Sequence, residues 1–211
     1  MNRSVVRTGA SLDQARSAVI FIHGRGSSGE DVIGLAEAIP EKRTTWLAPS
    51  APHRAWYPQR FLVPTKKNEP HLSEALQIVD QLFDELQTAG FPADRIGLTG
   101  FSQGACLALE YAARNPRRYG FVAALSGALI GPLDTSRPAF DLAQAPVLLA
   151  CAEEDAHIPA EYVEKSEEIF SKAKATVTRQ RFPGNTHAIF PEEIEWIGQV
   201  LESLNSKTVD K

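Results

Sequence analysis

Residues 100–116 read GFSQGACLALEYAARNP. One serine, Ser102, stands two positions after Gly100 and two before Gly104, behind the apolar run RIGLTGF (95–101) and ahead of an amphipathic segment that Pro116 ends. The G-x-S-x-G spacing has a steric reason. A serine on a sharp strand-to-helix turn needs neighbours two residues away without side chains, because a Cβ there would strike adjacent backbone. Such a turn lifts the hydroxyl above the sheet, at the positive end of the following helix. The stretch therefore predicts a strand, a strained turn and a helix, with Ser102 as a candidate nucleophile.

Outward from this stretch, apolar runs of strand length alternate with longer amphipathic segments. SAVIFIH (17–23), TTWLAP (44–49), GFVAALSG (120–127), a run within APVLLACAEED (145–155) and ATVTRQRF (175–182) read as further strands. GEDVIGLAEAI (29–39) reads as a helix. A second is marked by Leu72, Leu76, Val79, Leu82, Phe83 and Leu86 at three- and four-residue steps and stopped by Gly90. Others are expected over 104–115 and 159–174. The last opens at Pro191, with Glu192 and Glu193 favourable in its first turn and Ile194, Ile197, Leu201 and Leu204 as its stripe. Strict alternation with near-continuous apolar strands predicts an α/β fold, a mostly parallel sheet of about six or seven strands with helices on both faces. Such sheets bind ligands at the carboxyl ends of their strands. A proline-rich loop runs from Pro49 to about Pro70, and residues 128–144 form an aperiodic excursion, a candidate cover for the site.

The chain has 211 residues, 43% hydrophobic and 23% charged, which suits one domain over 1–211. A net charge of −4 and a pI near 5.8 give no basic field, so no nucleic-acid partner is expected. No stretch reaches ~18 consecutive apolar residues, so no membrane span is expected, and the N-terminus lacks a signal-peptide core. Cys106 and Cys151 lie in apolar runs and read as free buried thiols of a reducing compartment, which favours the cytoplasm. There is no H-E-x-x-H or C-x-x-C, so neither a metal nor a cofactor is expected. The expected partner is a small-molecule substrate, and a homodimer stays open.

A hydroxyl is a poor nucleophile at neutral pH and requires a base, and the base an orienting acid. In this type of sheet the order is serine, acid, histidine, each in a loop after a strand. Asp155, in CAEEDAHIP, and His187, in FPGNTHAIF, fall at those places. Glu153 and Glu154 compete for the acid role. His23 ends the first strand and is expected to shape the neighbouring turn, His157 is too close to Asp155 to be its partner, and His53 and His71 read as solvated. The oxyanion donors are expected to be the backbone N–H groups of Gln103 and Arg25.

A second glycine-rich turn competes with this reading. Gly24, Gly26 and Gly29 match G-x-G-x-x-G between a strand and a helix, the context of a dinucleotide-binding turn in a nucleotide-dependent oxidoreductase. That reading lacks the acidic residue at the end of the next strand, where Pro49 and Ser50 stand, although Ser50 and Arg54 suit a 2′-phosphate. A non-catalytic ligand-binding protein is the other alternative.

At these residues the chain resembles the α/β-hydrolase superfamily, specifically the phospholipase/carboxylesterase family that includes acyl-protein thioesterases and relates to dienelactone hydrolases. FIHGRGSSGED, LAPSAPHRAWYP, IGLTGFSQGACLAL, DAHIP and FPGNTHAI occur in family order. The resemblance implies a single α/β-hydrolase domain without a large cap. It implies a serine esterase cleaving carboxylic esters or thioesters of small to medium acyl groups, with Ser102 as nucleophile, Asp155 as acid, His187 as base and Arg25 and Gln103 at the oxyanion hole. The chain departs from acyl-protein thioesterases in carrying Arg25 where they have a small apolar residue, and from dienelactone hydrolases in carrying serine rather than cysteine. Trp56, Tyr57 and Phe61 are candidates to line an acyl or aromatic pocket or simply to pack their loop, and Arg25, Arg54 and Arg60 to favour an anionic substrate group.

Overall fold

The side chains of each strand divide between two cores, and this division fixes the architecture. In the computed structural model, which describes residues 4–206, strand β2 (Ser17–Ile22) is buried along its whole length. Ala18, Ile20 and Ile22 face one core, and Val19 and Phe21 the other. A strand with apolar residues on both faces is stable only between two helical layers. Parallel to it run β3 (Thr44–Pro49) on one side and β4 (Ile96–Phe101) on the other. β5 (Phe121–Leu125), β6 (Pro146–Ala152) and β7 (Thr176–Phe182) follow in turn, all parallel. Seven strands fall within the expected six or seven, but the first was not among the runs picked out in the sequence. β1 (Val5–Gly9) pairs antiparallel with β3 at the sheet edge, giving the order β1-β3-β2-β4-β5-β6-β7. Its five half-exposed residues have none of the continuous apolar character that marked the others.

Helices cover both faces. α2 (His71–Thr88), α3 (Gln103–Arg114) and α4 (Ala160–Lys172) pack on the larger core. α1 (Gly29–Ile33) and α5 (Pro191–Ser206) pack on the smaller one. The six apolar positions that announced α2 are all buried, and Gly90 ends the helix at φ +100°. The segment expected as one helix over 29–39 is two: α1 stops at Ile33 and a 3₁₀ turn spans Gly34–Ala38. Glycine within a short helix gives the tighter turn little competition. No helix among the described residues is long and apolar enough to cross a membrane.

α5 corrects one expectation. Glu193 does not add a solvated charge to the first turn; it is fully buried, and its Oε2 accepts the Phe190 N–H at 2.6 Å, half of a capping box. Burial pushes its carboxyl up to about 8, so it caps the helix as a neutral acid. Residues 128–131, the start of the excursion after β5, are likewise buried rather than solvated.

Two outcomes follow from this packing. A Cβ on Gly104 would sit 2.1 Å from the Ile22 carbonyl oxygen, whereas one on Gly34 meets nothing within 4 Å. Gly104→Ala is expected to destabilise the protein by about 3 kcal/mol or more, and Gly34→Ala to leave it unchanged or slightly more stable, as read from denaturant midpoints. Between about pH 4.5, where free Glu193 would titrate, and about 8, the folded chain holds a proton that the unfolded chain lacks. Its stability therefore falls as pH rises through that window, by up to about 1.4 kcal/mol per pH unit. Glu193→Gln keeps the acceptor and removes the titration, so its gain in Tm over the native protein is expected to be larger at pH 8 than at pH 5.5.

Candidate active site

Ser102 sits between β4 and α3 at φ +54°, ψ −115°, in a region that side chains other than glycine rarely occupy. The turn is closed by the Ser102 N–H donating to Leu125 O at 3.0 Å and the Cys106 N–H to Ser102 O at 3.1 Å. The flanking glycines are obligatory: a Cβ on Gly100 would lie 2.4 Å from the Gly104 carbonyl. Among the described residues, neither the Gln103 N–H nor the Arg25 N–H donates to a protein acceptor.

The three side chains picked out by chain order meet. His187 Nε2 lies 2.8 Å from Ser102 Oγ, and its Nδ1 2.6 Å from Asp155 Oδ2. Asp155, whose side chain is wholly buried, takes two donors on each oxygen. Oδ1 accepts the N–H groups of His157 (2.8 Å) and Ile158 (3.1 Å), and Oδ2 accepts His187 and the Cys151 thiol at 3.5 Å. Burial alone would raise its carboxyl, but the hydrogen bonds from His187 and His157 outweigh burial and hold it below the usual carboxylate value. Burial, with Asp155 beside it, pushes the Cys151 thiol up to about 12, so it stays protonated and donates. Glu153 is paired with Arg181 at 3.7 Å and Glu154 is exposed; neither reaches His187. The histidine loop is pinned by Ser126 Oγ donating to Ala188 O and by Phe190 stacked on Phe182 at 3.9 Å.

The remaining histidines fall as expected. His23 is buried, with Nδ1 donating to Gly24 O and Nε2 accepting the Ala51 N–H. Burial lowers its pKa, which keeps it neutral and fixes that tautomer. His53 and His71 are exposed. His157 lies at the site after all, its ring 4.7 Å from that of His187, while its backbone holds the acid.

The cleft over Ser102 encloses about 420 Å³, and Tyr57 and Phe61 line it with Phe101, Cys106 and Ile158. Trp56, expected with them, does not reach it. Its indole packs on His23 at 4.9 Å and its Nε1 donates to His23 O, so it is a support for the loop. None of residues 128–144 lines the cleft; instead the Gly131 N–H donates to Phe61 O at 2.7 Å, bracing the cleft wall from behind. A larger hollow of about 830 Å³ lies between Leu35–Arg43 and α5 and holds no nucleophile–base pair.

In the competing turn, 24–29, three N–H groups are committed. Gly26 N donates to Arg54 O, Ser27 N to Gly24 O and Gly29 N to Ser50 Oγ, which does not favour a nucleotide phosphate there. The sequence also concealed a latch. The Tyr57 carbonyl accepts from Arg25 Nη2 at 2.7 Å and from Gln103 Nε2 at 2.8 Å, while Gln103 Oε1 accepts the Trp56 N–H at 2.9 Å. Arg25 and Gln103, which both line the cleft over Ser102, thus grip one point of its loop with their side chains. Composition and periodicity carry no signal for such a contact.

A doubly covered, mostly parallel sheet with its serine on the turn after β4 defines an α/β-hydrolase. Residues 3–205 match the family described as Phospholipase/Carboxylesterase, and the chain belongs to that family; it is an enzyme of the carboxylesterase type. A probable carboxylesterase, SOBER1-like, of Arabidopsis thaliana is 26% identical over 99% of this chain and 89% of its own. Acyl-protein thioesterase 1 of Schizosaccharomyces pombe is 26% identical over 83% of this chain and 85% of its own. A solved phospholipase/carboxylesterase from Dyadobacter fermentans superposes with a TM-score of 0.89 at 34% identity, covering 95% of this chain and 97% of the other.

Replacing Gln103 by alanine strands the buried Trp56 N–H and removes a donor from the Tyr57 carbonyl. The variant is expected to lose about 1–3 kcal/mol of unfolding free energy and to show a lower kcat/KM for a p-nitrophenyl ester, both measurable on the same preparation.

Proposed function

We propose that the protein is a serine hydrolase of carboxylic esters or thioesters of small to medium acyl groups, working through Ser102, His187 and Asp155 in one catalytic domain. The carrying observation is the continuous line of contacts from Ser102 Oγ to His187 Nε2 at 2.8 Å and from His187 Nδ1 to Asp155 Oδ2 at 2.6 Å. The relatives' names, carboxylesterase and acyl-protein thioesterase, support the reaction class, and a cleft of about 420 Å³ suits an acyl chain of modest length.

In this reading the Ser102 hydroxyl donates its hydrogen bond to His187 Nε2, which takes the proton as Oγ attacks the acyl carbon. Asp155 accepts the Nδ1–H, holds that tautomer and stabilises the imidazolium without taking the proton. The carbonyl oxygen becomes an oxyanion facing the Gln103 and Arg25 N–H groups; one such donor is typically worth ~10²–10³ in kcat. His187 returns its proton to the departing alkoxide or thiolate, and an acyl-enzyme remains on Ser102. Water, deprotonated by His187, then releases the acid and restores the serine.

Ser102→Ala is expected to cut hydrolysis of a p-nitrophenyl acyl ester by roughly 10⁴-fold or more with its far-UV spectrum and unfolding midpoint intact. A fluorophosphonate probe is expected to add its mass to the peptide carrying Ser102. Turnover by the alanine variant, or a label placed elsewhere, would overturn the assignment.

A further inference from the structure

We propose that the cleft beside Ser102 contains a subsite for an anionic group, formed by Arg25 and Arg60, so that the preferred substrates are esters or thioesters bearing a carboxylate. The proposal rests on the serine-esterase reading and names its substrate class.

The cleft carries charge of one sign in a chain whose net charge is −4. Arg25 and Arg60 line it, and no aspartate or glutamate does. The acids on adjoining turns are spoken for. Asp155 lies behind His187 with four donors. Asp31 accepts the Ser27 and Ser28 hydroxyls and has Arg54 3.9 Å away. Arg54, third of the arginines noted in the sequence, therefore does not belong to the subsite.

The two remaining guanidinium groups are anchored but not neutralised. Arg25 uses Nη2 alone, donating to Tyr57 O at 2.7 Å and Gln59 O at 3.0 Å. Arg60 uses Nη2 alone, donating to His157 O at 3.2 Å. Among the described residues, Nε and Nη1 of both have no acceptor and neither group meets a carboxylate. Carbonyl partners hold a guanidinium in place without cancelling its charge, so little side-chain freedom is lost when an anion arrives. The apolar wall of Tyr57, Phe61 and Ile158 accommodates the carbon chain between that anion and the ester, and a partly dry wall strengthens the ion pair relative to bulk water. Arg25 and Arg60 line the same cleft as Ser102, which places an anion held there in one pocket with the scissile group.

Two matched pairs of substrates test this on either side of the ester. The acyl pair is the p-nitrophenyl half-ester of adipic acid against its methyl ester; the alcohol pair is 4-carboxyphenyl acetate against its methyl ester. Each kcat/KM is normalised to the compound's hydroxide-catalysed rate. The native enzyme is expected to prefer the anionic member of at least one pair by about 10-fold or more, with the preference shrinking at 0.5 M NaCl, where the Debye length falls to about 4 Å from about 30 Å at 0.01 M. Arg25→Gln and Arg60→Gln are each expected to lower that ratio by about 5-fold or more. Arg25→Gln also loosens the latch and slows both members, so the ratio isolates the charge from that structural role. A native ratio near one in both pairs, or native ratios in both glutamine variants, overturns the subsite. If neutral esters are turned over and the phosphonate labels Ser102 while no preference exists, the subsite falls and the serine-esterase reading stands. If nothing is turned over, titration calorimetry of Ser102→Ala with the monomethyl adipate anion against dimethyl adipate reads the subsite alone. Tighter binding of the anion supports it, and equal or absent binding ends it.

Discussion

Of all the glycines, the one with least room for a side chain is Gly104, where the start of α3 meets the end of β2. A Cβ on Gly104 would stand 2.1 Å from Ile22 O and 2.5 Å from His23 O, and one on Gly100 2.4 Å from Gly104 itself. Only glycine at both positions lets the helix begin directly against two strands, and only then can the single residue between strand and helix bear the whole reversal of direction. Ser102 bears it at φ +54°. Backbone strain of this kind costs about 1–3 kcal/mol and persists only where surrounding structure over-determines it. Here the Ser102 N–H on Leu125 O and the Cys106 N–H on Ser102 O hold it. From the same contact follows the nearness of the turn after β2, because a Cβ on Gly24 would already touch Ser102 Cβ at 3.4 Å. The turn that carries Arg25 is thus brought beside the turn that carries Gln103, and both residues line the cleft over Ser102.

The acid and base are governed by a different balance. Burial by itself raises the Asp155 carboxyl. Two backbone N–H groups, one imidazole and one thiol reverse that outcome. Each donor comes from a place the fold fixes independently: the turn after β6 supplies its own amides, β6 supplies Cys151, and the loop after β7 supplies His187. The acid and base loops are also sewn together, with Glu153 N donating to Phe182 O and Glu154 N to Gly184 O. The pair therefore holds its short contact through bonds that the sheet and its loops supply.

Much of this was legible in the sequence because it depends on local rules. Alternating apolar runs and amphipathic segments announced a doubly covered parallel sheet, and the glycines around Ser102 announced its turn. Chain order then pointed to Asp155 and His187, which meet as a chain of hydrogen bonds. What stayed hidden depends on partners distant in sequence. β1 is a strand because β3 offers an open edge, and its own half-exposed residues say little. Glu193 looks like a solvated charge favouring a helix dipole until α5 docks on the sheet and removes the water. Cys151 looks like a small apolar residue until Asp155 arrives four positions later and turns its thiol into a donor. Trp56 looks like a pocket wall, and only the packing of His23 beneath it shows that it supports the loop from behind.

The loop from Trp56 to Phe61 ties these points to selectivity. Its Tyr57 carbonyl is gripped by the side chains of Arg25 and Gln103, and its Phe61 carbonyl is held from behind by Gly131. The cleft wall and the turns that carry Arg25 and Gln103 are therefore tied into one unit. The residues that line the cleft over Ser102, with the two arginines among them, are the ones that can select among substrates. A small apolar residue at position 25 would keep the backbone N–H but surrender both the grip on Tyr57 and the positive charge. That single side chain thus couples the placement of the cleft wall to the electrostatics of what the wall receives, and a change there shifts substrate preference and loop order together.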